Sequence, residues 1–209
     1  MMRIESIAAQ PDRVGRHLIK FADGSTIRLY RQTVEDFCLF TGMELDDKQM
    51  NDLRQAAEAM SARMRAVRIL SVTSVSKEDL EQRLIRKGEN PVYAKEAVDW
   101  MSDLNLLDDS KIAEQIVQKC IYKGYGVSRA KQALYEKRIP KDLWQDALMD
   151  YPDQKEKIVS FLKTRISDFG DERQLRRAMD ALVRRGHSYS EIWSAMEQIS
   201  LDFDEFPEE

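Results

Sequence analysis

Glycine and proline are scarce in this chain, with 8 Gly and 5 Pro among 209 residues. Folds made of many short strands and tight turns use more of both, as do flexible linkers, so the scarcity argues against an all-β protein and against a disordered spacer. Two cysteines, Cys38 and Cys120, are too few for a disulfide framework. Each sits in an apolar run, Phe37-Cys38-Leu39 and Val117 to Ile121, so both are expected as buried small hydrophobes. No apolar run approaches the ~18 residues a membrane span needs. Met1-Met2-Arg3-Ile4-Glu5 lacks the apolar core of a signal peptide. The expected location is the reducing cytoplasm, off the membrane.

What is abundant points one way. Hydrophobic residues make up 43% and charged residues 33%, enough for one or two cores under a heavily solvated surface. Ala, Leu, Arg, Lys, Glu, Gln and Met dominate, and these are the strong helix formers. The formal net charge of −4 hides a gradient. Residues 1–58 hold 8 basic and 10 acidic residues, 59–201 hold 25 basic and 22 acidic, and 202–209 hold 5 acidic and none basic. A mildly basic body with an acidic tail permits phosphate contacts without demonstrating them.

The first 30 residues differ from the rest. Arg16 to Phe21 and Ser25 to Tyr30 flank Ala22-Asp23-Gly24, and Asp-Gly between alternating runs is a hairpin signal. Ile4 to Ala8 offers a third strand. So small a sheet needs a helix to pack on, and Val34, Phe37, Cys38 and Phe40 are the expected cover. Thr41-Gly42 would end that helix, and Asp46-Asp47 would cap the next.

From about residue 59 the chain repeats. Leu84, Leu134 and Leu182 stand 50 and 48 residues apart within the matching strings 82–88, 132–138 and 180–186. Ten residues on, Ala94, Trp144 and Ile192 correspond, followed by Ala97, Ala147 and Ala195, then Val98, Leu148 and Met196, then Met101, Tyr151 and Ile199. Offsets of 3, 4 and 7 trace one helical face. Asn90-Pro91 and Ile139-Pro140 mark helix starts, Ser188-x-x-Glu191 is a capping box, and Gly88 and Gly186 are expected stops. A further amphipathic segment precedes each pair, at about 59–71, 110–122 and 154–168. Each repeat then has three helices of roughly 10–14 residues. The expected fold is mostly α: a small N-terminal β-hairpin element and helices over 1–58, three-helix repeats over 59–108, 109–152 and 153–201, and the acidic tail 202–209. Stacked repeats of this period suggest an elongated, curved body.

The middle repeat carries the most specific pattern. Leu107-Asp108-Asp109-Ser110-Lys111-Ile112-Ala113, Ile116-Val117, Lys123-Gly124-Tyr125-Gly126 and Ala130-x-x-Ala133-Leu134-x-x-Lys137 together resemble the signature of the RecX family. Leu182-Val183-Arg184-Arg185-Gly186-His187-Ser188 resembles its closing motif, and Leu80-x-x-x-Leu84-x-x-Lys87-Gly88 fits as well. The resemblance spans about residues 59–199. Cys120 and Ile121 depart from it where relatives often place arginine, Ala133 stands for an acidic residue, and Arg138 for glycine. The resemblance implies a protein that binds the RecA–DNA filament, lies along its groove and modulates, in the inhibitory direction, recombinase, ATPase and coprotease activities. That is the setting of recombination, DNA repair and the SOS response. It also makes Asp108, Asp109, Gly124, Gly126 and Gly186 family-motif positions.

Catalytic constellations are not apparent. Lys123-Gly124-Tyr125-Gly126 lacks the GxxxxGK[ST] spacing and a preceding strand, so a helix-to-helix turn accounts for it better than a phosphate loop. Asp108-Asp109 reads as a helix cap rather than a metal pair. His17 and His187 belong to unlike elements, and no zinc spacing or Ser-His-Asp set emerges. Trp100, Trp144 and Trp193 fall in the third helices, where core packing is the default for Trp144 and base stacking by any of the three is the lesser alternative. No enzyme activity, cofactor or metal is expected.

Basic residues on the second helices are the best site candidates. Burying Ala130, Ala133 and Leu134 leaves Arg129 outward with Lys131 flanking. Burying Leu175, Ala178, Met179 and Leu182 leaves Arg173, Arg177 and Arg184 outward. With Lys123, Arg176 and Arg185 these would form a stripe contacting single-stranded or double-stranded DNA, the alternative being an ordinary solvated face. The reading is a monomeric, non-enzymatic RecA regulator. Its rivals are a helix-turn-helix transcription factor, which would bind palindromic operators as a dimer, and a protein-only repeat scaffold, which would not bind DNA even at low salt.

Overall fold

The computed structural model of the protein describes residues 1–168 and 170–204. Of the acidic tail, 205–209 lie outside the described residues, while 202–204 continue the last helix. In chain order the elements are β1 (Met2–Ile7), β2 (Arg16–Phe21), β3 (Thr26–Tyr30), α1 (Arg31–Asp36), β4 (Glu44–Leu45) and α2 (Asp47–Leu70). Then follow α3 (Lys77–Arg86), α4 (Pro91–Asp103), α5 (Asp109–Tyr122), α6 (Val127–Glu136), α7 (Leu143–Leu148), α8 (Lys155–Arg165), α9 (Glu172–Arg184) and α10 (Tyr189–Asp204). The chain forms two compact units, Met1–Leu107 and Asp108–Glu209. Among the described residues no helix is long and apolar enough to cross a membrane.

In the first unit the expected hairpin forms, with Lys20 paired to Thr26 across the turn at Asp23-Gly24. β1 adds the third strand. The structure also contains β4, which pairs with β1 beyond the expected strand region and gives an antiparallel sheet of order β3-β2-β1-β4. Its cover differs from expectation. Ile4, Ile19, Phe21, Leu29 and Leu45 pack with Met50 and Leu53 of α2; of the four residues expected as cover only Val34 and Phe37 join them, in part, while Leu39 beside them is buried in the core. Phe40 is 61% exposed and Cys38 is exposed too, so Cys38 is not the buried hydrophobe its neighbours suggested. The reason is local: α1 stops at Asp36, and Cys38 takes a left-handed φ of 49° that turns its side chain out of the apolar stripe.

α2 runs unbroken for 24 residues across the boundary expected at residue 58. Asp46 starts it with a capping box: its carboxylate accepts from the Gln49 amide at 2.7 Å, and Gln49 Oε1 accepts from the Asp46 amide at 2.9 Å. The N-terminal half faces the sheet. Ala62 and Ala66 in the other half join Leu80, Leu84, Ala94, Ala97, Val98 and Met101 in a second core between α2, α3 and α4.

The second unit holds two further three-helix cores. Ala113, Val117, Leu134 and Ile139 centre the one between α5, α6 and α7, while Ile158, Leu162, Ala178, Leu182, Ile192, Ala195 and Ile199 form the one between α8, α9 and α10. Leu84, Leu134 and Leu182, the anchors of the sequence repeat, are 0%, 0% and 1% exposed, so all three occupy the same buried station. The helix stop recurs too. The amide one position beyond each left-handed residue returns to that leucine's carbonyl, from Glu89 at 3.1 Å, Ile139 at 3.0 Å and His187 at 3.2 Å. The left-handed residue is Gly88, Arg138 and Gly186 in turn. The copies are not equal in length, since α7 has only six residues against 13 in α4 and 16 in α10. Pro140 precedes a Lys141-Asp142 turn instead of opening the helix, and Pro152 bars continuation at the other end.

Candidate functional site

Two helix-to-helix turns meet in the second unit. The turn 123–126 joins α5 to α6, and the turn 185–188 joins α9 to α10. The Gly126 amide donates to the Arg185 carbonyl at 2.9 Å. A Cβ at Gly126 would sit 2.1 Å from the Gly186 carbonyl oxygen, and one at Gly186 would sit 2.3 Å from the Arg129 amide. Sequence spacing assigns Gly126 a turn role. The structure assigns it a different one: its φ is −80°, and what it supplies is room for another backbone. Gly186 needs both the room and a φ of 88°.

Side chains brace the junction. His187, 4% exposed, lies with Nε2 3.0 Å from the Gly124 carbonyl, so that nitrogen carries the donated hydrogen. The Tyr151 hydroxyl donates to the Tyr125 carbonyl at 2.6 Å, and burial pushes its pKa up to about 12. The Lys157 ammonium donates to the Ile121 carbonyl. Asp108 caps α5, accepting from the Lys111 amide at 3.0 Å, and that bond holds its carboxyl below the usual range. Asp109 is buried in the first turn. Among the described residues no group of three or more His, Cys, Asp or Glu side chains could hold a metal ion.

Beside this junction α6, α8 and α9 enclose a groove of about 570 Å³. Arg129, Arg177, Arg184 and Arg185, four of the residues singled out in the sequence, line it together. On α9 the lining positions Gln174, Arg177, Ala178, Ala181 and Arg184 repeat at helical spacing, one face of one helix. Lys123 stands next to it, its ammonium 5.9 Å from the Tyr125 ring centroid. Arg129 is drawn partly aside by Glu136 at 3.2 Å. Lys131, Arg173 and Arg176 are exposed but do not line the groove.

Sequence reasoning missed Arg165, Phe161, Tyr125 and Gln174, which complete the wall. The signal was the spacing Phe161-x-x-x-Arg165 in α8, a helix whose polar side the repeat pattern leaves unmarked. Arg185 Cζ lies 4.6 Å from the Phe161 ring centroid, and Arg165 Cζ lies 5.6 Å from it. The result is a concave surface of guanidiniums and aromatic rings, suited to a phosphate-bearing ligand with flat bases.

No family model matches the chain. Among curated relatives, the regulatory protein RecX of Vibrio parahaemolyticus is 25% identical over 146 residues, covering 68% of this chain and 94% of the relative. That of Clostridioides difficile is 24% identical over 210 residues, covering 98% of this chain and 97% of the relative. A crystal structure of a regulatory protein RecX matches with a TM-score of 0.70 at 22% identity, over 94% of this chain and 100% of that one. The chain is thus similar to RecX regulatory proteins along nearly its whole length. The RecX structure shares its fold, helical with a small N-terminal sheet. The RecX relatives are named regulatory proteins.

Proposed function

We propose that this protein binds the RecA–DNA filament in the cytoplasm and inhibits its recombinase, ATPase and coprotease activities, without catalysis of its own. The groove between α6, α8 and α9 supplies the DNA contacts, and other surfaces meet the recombinase. The observation that carries the reading is the convergence of Arg129, Arg165, Arg177, Arg184 and Arg185 on one groove. Charges of one sign gathered in this way favour an anionic ligand strongly and leave the site self-repulsive without one. The resemblance of the middle-repeat motifs to the RecX signature favours the filament as the source of that anion.

Co-sedimentation with RecA filaments on single-stranded DNA tests this. The wild-type chain sediments with the filament and slows its ATP hydrolysis. The variant Lys123→Ala/Arg129→Ala/Arg177→Ala loses affinity nearly uniformly across DNA sequences, and its salt dependence flattens by about 0.7 log units for each phosphate no longer neutralised. A triple variant that sediments and inhibits like wild type would reduce these residues to a solvated face.

A further inference from the structure

Phe161 lies against two guanidiniums. Its ring centroid is 4.6 Å from Arg185 Cζ and 5.6 Å from Arg165 Cζ, and Arg185 also reaches the Tyr125 centroid at 5.9 Å. All four side chains line the groove. Among the described residues neither Arg165 nor Arg185 has a carboxylate within ion-pair distance, whereas Arg129 in the same wall has Glu136. An arginine is costly to order because its side chain has many rotamers. A ring that holds the guanidinium face removes much of that cost before a ligand arrives and leaves the N–H edges free.

We propose that Phe161 positions Arg165 and Arg185 as a paired clamp for one phosphodiester of a single nucleic-acid strand lying along the groove, an inference that rests on the DNA-binding reading above. Two guanidinium forks match the oxygens of one phosphate as two ammoniums do not, because each fork donates two parallel hydrogen bonds. The groove, at about 570 Å³, has the size of clefts that enclose a drug-sized molecule. A nucleotide of a flexible strand fits that description, and a rigid duplex does not. The rings of Tyr125 and Phe161 give the flanking bases apolar edges to pack on.

The test is fluorescence anisotropy of the full chain with a labelled oligothymidylate and, separately, with a blunt hairpin duplex. Arg185→Lys and Arg165→Lys each keep the charge and lose the fork, and single-strand affinity is expected to fall roughly tenfold. Arg184→Lys, on a side chain that no ring among the described residues holds, is expected to cost less than about threefold. Phe161→Leu behaves like Arg185→Lys, and Phe161→Tyr restores binding. Duplex affinity changes less than single-strand affinity throughout. If Phe161→Leu lowers the melting temperature, the two lysine variants carry the test alone. The clamp is overturned if both lysine variants bind like wild type while Arg177→Ala weakens binding, a result that leaves the groove as a diffuse basic surface. If Arg177→Ala and the lysine variants all bind normally, the DNA-binding reading fails and the clamp with it. Equal losses on strand and duplex overturn the single-strand assignment.

Discussion

In the unit Met1–Leu107 arginines face carboxylates: Arg16 meets Asp12 at 2.9 Å, Arg31 meets Glu35 at 2.7 Å, Arg65 meets Glu89 at 2.6 Å and Arg83 meets Asp79 at 2.9 Å. In the unit Asp108–Glu209 the groove arginines face one another across a concave wall, and only Arg129 has a carboxylate partner among the described residues. The same residue type therefore does two kinds of work. Paired with an acid it settles local turns and helices of the first unit and, at Arg65–Glu89, ties α2 to the turn after α3. Held by rings and, among the described residues, without an ion pair, as Arg165 and Arg185 are, it makes a surface that gains most when an anion arrives. Composition cannot tell these apart, and pairing can.

Gly186→Ala is expected to have the largest effect on stability. The new methyl meets the Arg129 amide at 2.3 Å while the backbone keeps a left-handed φ, so the turn junction must open. The expected cost is about 3 kcal/mol, between overpacking and backbone strain. Hydrogen exchange should show weakened protection in α6 and α9 and unchanged protection in the sheet. Glu89→Ala strikes the other unit. The Glu89 side chain is 8% exposed and accepts from Ser61 as well as pairing with Arg65. Because Arg65 itself is partly solvated, the cost is about 1–2 kcal/mol, read as a lower denaturation midpoint with DNA affinity unchanged. A loss of DNA affinity here would erase the contrast between the units.

A gain is expected at Arg138. It occupies with φ 53° the position that Gly88 and Gly186 fill in the other repeats. Arg138→Gly should raise stability by about 0.5–1 kcal/mol, because relief of the left-handed strain exceeds the added entropy of the unfolded chain. Thermal melting decides it, and a fall in Tm would mean that the arginine side chain contributes more than its backbone costs. The smallest stability effects belong to two exposed arginines. Arg177→Ala and Arg31→Ala should each shift stability by no more than about 0.5 kcal/mol. Only the first should flatten the salt dependence of DNA binding, and equal effects of the two would show that position in the groove is irrelevant.

The repeat phase was legible because Leu84, Leu134 and Leu182 recur with their apolar companions, and burial selects those positions whatever surrounds them. The continuity of α2 was legible too, in the lack of Gly or Pro between Asp47 and Leu70, yet the repeat period pointed to a boundary instead. Cys38 defeats the apolar pattern because a single residue's left-handed turn overrides the periodicity around it. For the groove, the outward face of α9 followed from its buried stripe. Arg165 and Phe161 did not follow, since their meeting with Arg185 depends on how α8 lies against α9. The reciprocal contact of Gly126 and Gly186, 60 residues apart, depends on packing that no local pattern encodes.

α2 belongs to two cores at once, giving Met50 and Leu53 to one and Ala62 and Ala66 to the other. A helix of 24 residues is about 36 Å long, and ending it midway would expose amides and carbonyls that its ladder satisfies. The sheet and the first three-helix bundle therefore cannot melt as separate domains. They form one cooperative foldon, in which amides of β2 and of α3 should exchange with the same opening free energy.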